Sequence, residues 1–135
     1  MSIYDDKIRK RVLAASASER KSLLVGALTS PDVALLLNVS LQAVQDRALQ
    51  KTLLAIEDEN QLWFPSWQFD ANGADGIVAG LPKVLQALAI GHLAQARWLT
   101  TPTKVFENRS PLDLLRSGEA DRVLSEARGV GATAS

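Results

Sequence analysis

The run Arg109-Ser-Pro-Leu-Asp-Leu-Leu-Arg-Ser-Gly118 fixes both ends of a short helix. Ser110 suits the N-cap, where its hydroxyl accepts from an amide of the first turn, and Pro111 suits the first helical turn. Gly118 suits the left-handed residue that stops the helix. Leu112, Leu114, Leu115 and, further on, Val123 form one apolar face. Arg109, Asp113, Arg116, Glu119 and Asp121 are left for the surface. The stretch reads as a small, rigid helical cap.

Upstream, an apolar helix pattern runs from Leu81 or Pro82 to Leu99, through Val84, Leu85, Leu88, Ala89, Leu93, Ala96 and Trp98. Gly91 weakens it locally and suits a close helix contact. A polar loop bracketed by Pro102 and Pro111 then leads into the cap.

The order Trp98-Leu99-x-x-Pro102, a short polar loop, Arg109-x-Pro111-Leu112-Asp113-Leu114-Leu115-Arg116-x-Gly118, then Val123 resembles the toxin-binding domain of the Xre/MbcA/ParS antitoxins. The resemblance covers the last third to half of the chain. Two positions depart from it. Thr103 stands where the family often has asparagine, and Glu107-Asn108 stand where glycine usually precedes the arginine. Asparagine tolerates a positive φ, so the turn is expected to persist. The resemblance implies a RES-domain, NAD-consuming toxin as partner and a homodimer, with no cofactor in this chain. It places toxin contact on the exposed charges of the cap, Arg109, Asp113, Arg116 and Glu119, with Arg128 near the chain end. The plainer reading is a helical hairpin with no partner.

Residues 29–50 carry a second signal. Thr29 or Ser30 caps a helix with Pro31 in its first turn, and Val33, Ala34, Leu36 and Leu37 are its apolar positions. Asn38 turns the chain, Val39 packs inward, and Ser40 caps a second helix from Leu41 whose inner face is Val44 and Ala48. This is helix-turn-helix spacing, and it resembles the DNA-binding half of excisionase-like and MerR-like regulators. Gln42, Gln45 and Arg47 are the candidate DNA contacts, since glutamine pairs with an adenine edge and arginine with guanine or phosphate. Asp46 opposes phosphate. A structural or dimer-forming role for this helix stands beside the DNA-reading one.

Residues 53–64 read as a β-hairpin: Leu53 to Ile56, a turn at Glu57-Asp58-Glu59-Asn60, and a return from Leu62 to Phe64 that Pro65 ends. The acidic tip repels phosphate. Trp63, Phe64, Trp67 and Phe69 lack the interleaved basic residues of a stacking platform and read as core. Phe64-Pro65-x-Trp67-Gln68-Phe69 also resembles the junction before the toxin-binding domain in the same antitoxins. Asp70 to Gly76 reads as a turn and linker; Ala74 at a ligand position and the lack of a closing glutamate argue against a calcium loop.

Near the N-terminus, Ile3, Ile8, Val12 and Leu13, then Leu23 to Val25, suit two helical pieces broken at Ser16-Ala17-Ser18. Lys7, Arg9, Lys10 and Arg11 read first as a solvated face and second as phosphate contacts. Residues 131–135 read as a flexible tail.

Fifteen basic and fifteen acidic residues cancel, so net charge makes no case for nucleic acid. With no cysteine there is neither disulfide nor thiolate chemistry. His92 is the sole histidine and reads as structural, and the glycines at 73, 76 and 80 match no phosphate-binding loop. Nothing approaches a membrane span or a signal peptide, which predicts a cytoplasmic protein. The expectation is a mostly α chain: a helix-turn-helix domain with a small β-hairpin over 1–70, then a helical toxin-binding domain over 71–130. Its function would be an antitoxin that binds and inhibits a RES-domain toxin and represses its own operon through operator DNA. The alternative is a dimeric helix-turn-helix transcription regulator without a toxin partner.

Overall fold

The computed structural model describes residues 20–130. The expectations for Ile3 to Leu13, the basic run Lys7 to Arg11, the break at Ser16–Ser18 and the tail 131–135 lie outside the described residues. Within them the chain is mostly helical with one small antiparallel sheet, as the sequence predicts.

Residues 20–23 are helical and lead to β1, Leu28–Thr29. α1 spans Ser30–Leu37 and α2 spans Leu41–Leu49. Thr29 caps α1 in a reciprocal box: its hydroxyl accepts from Asp32 N–H, and the Asp32 carboxylate accepts from Thr29 N–H. Asn38 ends α1 in the left-handed region, at φ 54°. Ser40 caps α2 by accepting from Ala43 N–H at 3.0 Å. Val33 and Val44 are fully buried where the two helices meet the core. Leu36, expected inside, is instead 55% exposed. Val33 and the partly buried Leu37 are the residues of this face that pack on the core.

The hairpin is shorter and tighter than the sequence suggests. β2 is Ile56–Asp58 and β3 is Gln61–Phe64, with Glu57 opposite Leu62 and Asp58 opposite Gln61. The turn is therefore only Glu59-Asn60, both at positive φ (51° and 63°), the twist that suits a two-residue hairpin. β1 adds to the other edge of β3, giving the order β1-β3-β2. Leu53 to Ala55 is buried but forms no strand. The fully buried Gln68 side chain takes the place of one: its Oε1 accepts from Leu54 N–H at 2.8 Å, and its Nε2 donates to Leu54 O at 2.9 Å and Pro65 O at 3.0 Å.

The long apolar helix expected over 81–99 is two helices, α3 (Leu81–Ala87) and α4 (His92–Thr100). The chain leaves helical geometry at Leu88, and Gly91 caps α4. The break is stabilised from the side. Buried Gln95 donates through Nε2 to Leu85 O at 3.1 Å and Leu88 O at 2.9 Å, satisfying carbonyls at the end of α3. Among the described residues, nothing lies within 4 Å of a Cβ added at Gly91, so the close helix contact expected there is not made. α5 (Pro111–Arg116) and α6 (Ala120–Gly129) complete the fold. α6 packs on α3, and at Gly80, which caps α3, an added Cβ would come within 2.6 Å of Ala120 Cβ.

One buried cluster joins Val33, Val44, Leu54 and Phe64 to Leu81, Leu85, Leu99, Leu114 and Val123. Arg116 Nη2 donates to Trp67 O at 3.1 Å, and Gln86 Nε2 to Gln50 O at 3.2 Å, across residues 70–71. No helix among the described residues is long and apolar enough to cross a membrane.

Candidate functional site

α5 is held at both ends, as its sequence predicts. Ser110 accepts from Asp113 N–H at 3.1 Å, and the Asp113 carboxylate accepts from Ser110 N–H at 3.4 Å. Gly118 stops the helix at φ +85°, and Glu119 N–H donates back to Leu114 O at 2.9 Å. Pro111, Leu112, Leu114 and Leu115 are all buried, each leucine side chain contributing about 1.5–3 kcal/mol.

The loop before α5 is folded on itself. Thr103 and Arg109 form an antiparallel bridge, and Thr103 Oγ1 accepts from Val105 N–H at 3.4 Å. Thr103 thus supplies a side-chain acceptor where the antitoxins often have asparagine. Glu107 (φ 52°) and Asn108 (φ 65°) are both left-handed, so the turn persists without glycine.

The sequence-derived charges are not loose at the surface. Arg109 donates through Nη2 to Ser117 Oγ at 2.9 Å and Asp113 O at 3.2 Å, and its Nη1 lies 3.4 Å from Glu119 Oε2. Arg109 and Glu119 therefore meet at the end of α5, whereas the Asp113 carboxylate stays at its start on Ser110 N–H. Arg116 points elsewhere, to Trp67 O. Arg128 is exposed on the last turn of α6 and pairs with none of the other four.

Arg122 was missed by sequence reasoning. Its Nη2 donates to Glu107 Oε2 at 2.6 Å and to Val105 O at 3.0 Å, and its Nη1 lies 3.7 Å from Glu119 Oε1. Its guanidinium also sits 5.4 Å from the centre of the Phe106 ring. The hydrogen bond from Arg122 holds the Glu107 carboxyl below its ordinary value, opposed by desolvation and aided by the charges of Arg122 and Arg109. No local motif marks Arg122, because its hydrogen-bond partners on the loop lie 15–17 residues away.

Beside this loop is a groove of about 380 Å³ lined by Ile90, Ala94, Trp98, Val105 and Pro111. Arg97 and Glu126 are its charged residues. Val105 is 53% exposed although its neighbour Phe106 is buried.

On α2, Gln42 and Gln45 are exposed, but Gln42 Nε2 is bonded to Asp46 Oδ1 at 2.9 Å. Arg47 is half-buried, with its Nη1 out of solvent and unbonded among the described residues. Leu41 and Leu49 on the same helix are exposed. Over residues 20–70, Arg20, Lys21, Arg47 and Lys51 are outnumbered by Asp32, Asp46, Glu57, Asp58, Glu59 and Asp70.

The fold is similar to that of the NMR structure of Rv2175c, with a TM-score of 0.63 and 25% identity over 76% of this chain and 78% of that one. No curated relative matches the chain at comparable stringency. Residues 84–126 match the family model of the antitoxin Xre/MbcA/ParS C-terminal toxin-binding domain, which supports an antitoxin role with a toxin as partner.

Proposed function

We propose that this chain is the antitoxin of a type II pair, that residues 71–130 are its toxin-binding unit, and that its partner is a RES-domain toxin that consumes NAD. The match over 84–126 carries the reading. The geometry of the same stretch supports it: a loop and helix fixed at both ends cover a partner's cleft at small entropic cost. Arg109 and Glu119 pair at the end of α5, the Asp113 carboxylate lies at its start, and Arg116 and Arg128 are separate proposed contacts. Removing one partner from such a charged contact, once desolvated in the complex, costs several kcal/mol, on the order of 2–5.

Residues 1–70 act as a helix-turn-helix unit that represses the operon as a homodimer in the cytoplasm. The exposed Gln42 and Gln45 support operator contact through α2. Asp46 and the acidic hairpin tip set that contact to be weak. Arg47→Ala lowers operator affinity by about 1–3 kcal/mol if the arginine reads a base, and unchanged affinity after replacing Gln42, Gln45 and Arg47 together assigns α2 a structural role. The alternative, a dimeric helix-turn-helix regulator without a toxin, draws on the α1–α2 pair and the exposed Gln42 and Gln45 of α2.

The test is co-expression of the full chain with the toxin from the neighbouring reading frame, scoring growth and cellular NAD. Both are expected to be preserved. NAD loss equal to that with toxin alone removes the antitoxin reading, and sequence-specific DNA binding in that event favours the regulator.

A further inference from the structure

The groove between α4 and the 103–109 loop has a use beyond the general assignment of a toxin-binding unit. All of its lining residues, from Ile90 to Glu126, lie within the stretch that matches the toxin-binding family. Its lining is largely apolar, through Ile90, Ala94, Trp98, Val105 and Pro111. At about 380 Å³ it sits at the small end of the range for ligand sites, roughly 300–1,000 Å³, so it suits a few side chains.

Val105 is the exposed anchor of this groove, and its position is fixed. Two consecutive left-handed residues, Glu107 and Asn108, form the turn that follows it. Such backbone persists only where the surroundings hold it. Arg122 does so, bonding both Val105 O and the Glu107 carboxylate. A presented apolar side chain beside a preformed apolar groove is the arrangement of an interface centre.

The charges point to one kind of occupant. Arg97 already has an interaction of its own. Glu126 is exposed, and no hydrogen bond or ion pair engages it among the described residues. An enzyme that binds the phosphates of NAD presents basic groups at its cleft, and these complement Glu126. We infer that the groove seats an amphipathic segment of the toxin, with large apolar side chains against Val105 and Trp98 and a lysine or arginine on Glu126. This rests on the antitoxin reading above.

The chain has no cysteine, so a single introduced thiol reports on one place. Val105→Cys and Leu35→Cys chains are prepared in full length, each alone and bound to a catalytically inactive form of the neighbouring toxin. Alkylation of the thiol at position 105 should slow by about tenfold or more in the complex, while that at position 35 keeps its free rate. In parallel, Val105→Asp should weaken toxin binding by about tenfold or more without changing the melting temperature. Glu126→Arg should weaken it less, and more at low salt than at high salt. A complex that forms with the thiol at 105 still freely reactive overturns the groove assignment and leaves the antitoxin reading standing. Protection at 105 without toxin, growing with chain concentration, overturns it in favour of a second copy. Failure of the wild-type chain to form any complex overturns both.

Discussion

The helices α1 and α5 begin with the same device and end with opposite faces. Thr29 with Asp32 and Ser110 with Asp113 are the same reciprocal capping box, each with a proline in the first turn. Yet α1 buries one residue fully, Val33, over eight positions, whereas α5 buries four over six. Leu35 and Leu36 of α1 face outward at 83% and 55% exposure, while Leu114 and Leu115 of α5 are inside. A capping box sets where a helix starts and not which way it faces. That second property comes from the neighbours: α5 packs on both α4 and α6, and its last arginine is tied to Trp67 O.

The largest expected effect tests that difference directly. Leu114→Ala should cost about 2–5 kcal/mol in urea unfolding, because it opens a cavity in a closed core. Leu35→Ala, exposed, should stay within about 0.5 kcal/mol. Equal losses at the two sites would mean that the outer face of α1 is covered in solution, and the comparison would fail.

Next comes the buried amide that links the segment before β2 to the loop after β3. Gln68→Ala removes the partner of Leu54 N–H, Leu54 O and Pro65 O and should cost about 1–3 kcal/mol in all, since water entering the vacated space re-pairs part of them. Hydrogen exchange at Leu54 should speed up more than at Leu114. Unchanged protection at Leu54 would show that its amide has another partner.

Smaller still are the caps themselves. Ser110→Ala should cost about 1–2 kcal/mol and Thr29→Ala about 0.5–1 kcal/mol, because Ser110 is buried and water cannot replace its bond. A larger loss at Thr29 would reverse the ranking of the two helices.

The smallest effect is electrostatic. The folded-state Glu107 carboxyl titrates below its ordinary value of 4.5 because of Arg122. Its contribution is therefore fully present above the unfolded-state value and is lost as pH falls from 4.5 through the lower folded-state value. Both side chains are at the surface, so the effect is screened by salt. Glu107→Gln should flatten the fall of melting temperature below pH 4.5 slightly. An identical acid profile in the variant would assign the acid sensitivity to other carboxylates.

The parts legible in the sequence were those set by neighbours along the chain. Ser110, Pro111 and Gly118 mark the ends of α5, and Thr29, Asn38 and Ser40 mark those of α1 and α2, because each acts within four residues. The break at Leu88 was not legible. Leu88, Ala89 and Ile90 continue an apolar pattern, and what stabilises the break is the Gln95 side chain from the next helix. β1 has only two residues, and its partner strand lies some 35 residues on, beyond the reach of any periodicity. At the candidate site the loop turn was anticipated at Asn108, but the clamp on that loop was not. Arg122 reads as one more exposed charge on α6 until the fold brings Glu107, Val105 and Phe106 to it.

On the function proposed above, the two regions are separated most directly by NAD turnover of the purified partner toxin, titrated with two full-length variants. One carries Gln42→Ala, Gln45→Ala and Arg47→Ala on α2; the other carries Val105→Asp beside α5. The α2 variant should inhibit at the same molar ratio as the wild-type chain, and the Val105 variant should need about tenfold more or fail to inhibit. Inhibition lost in the α2 variant and kept in the Val105 variant would contradict the placement of toxin neutralisation in the C-terminal cap.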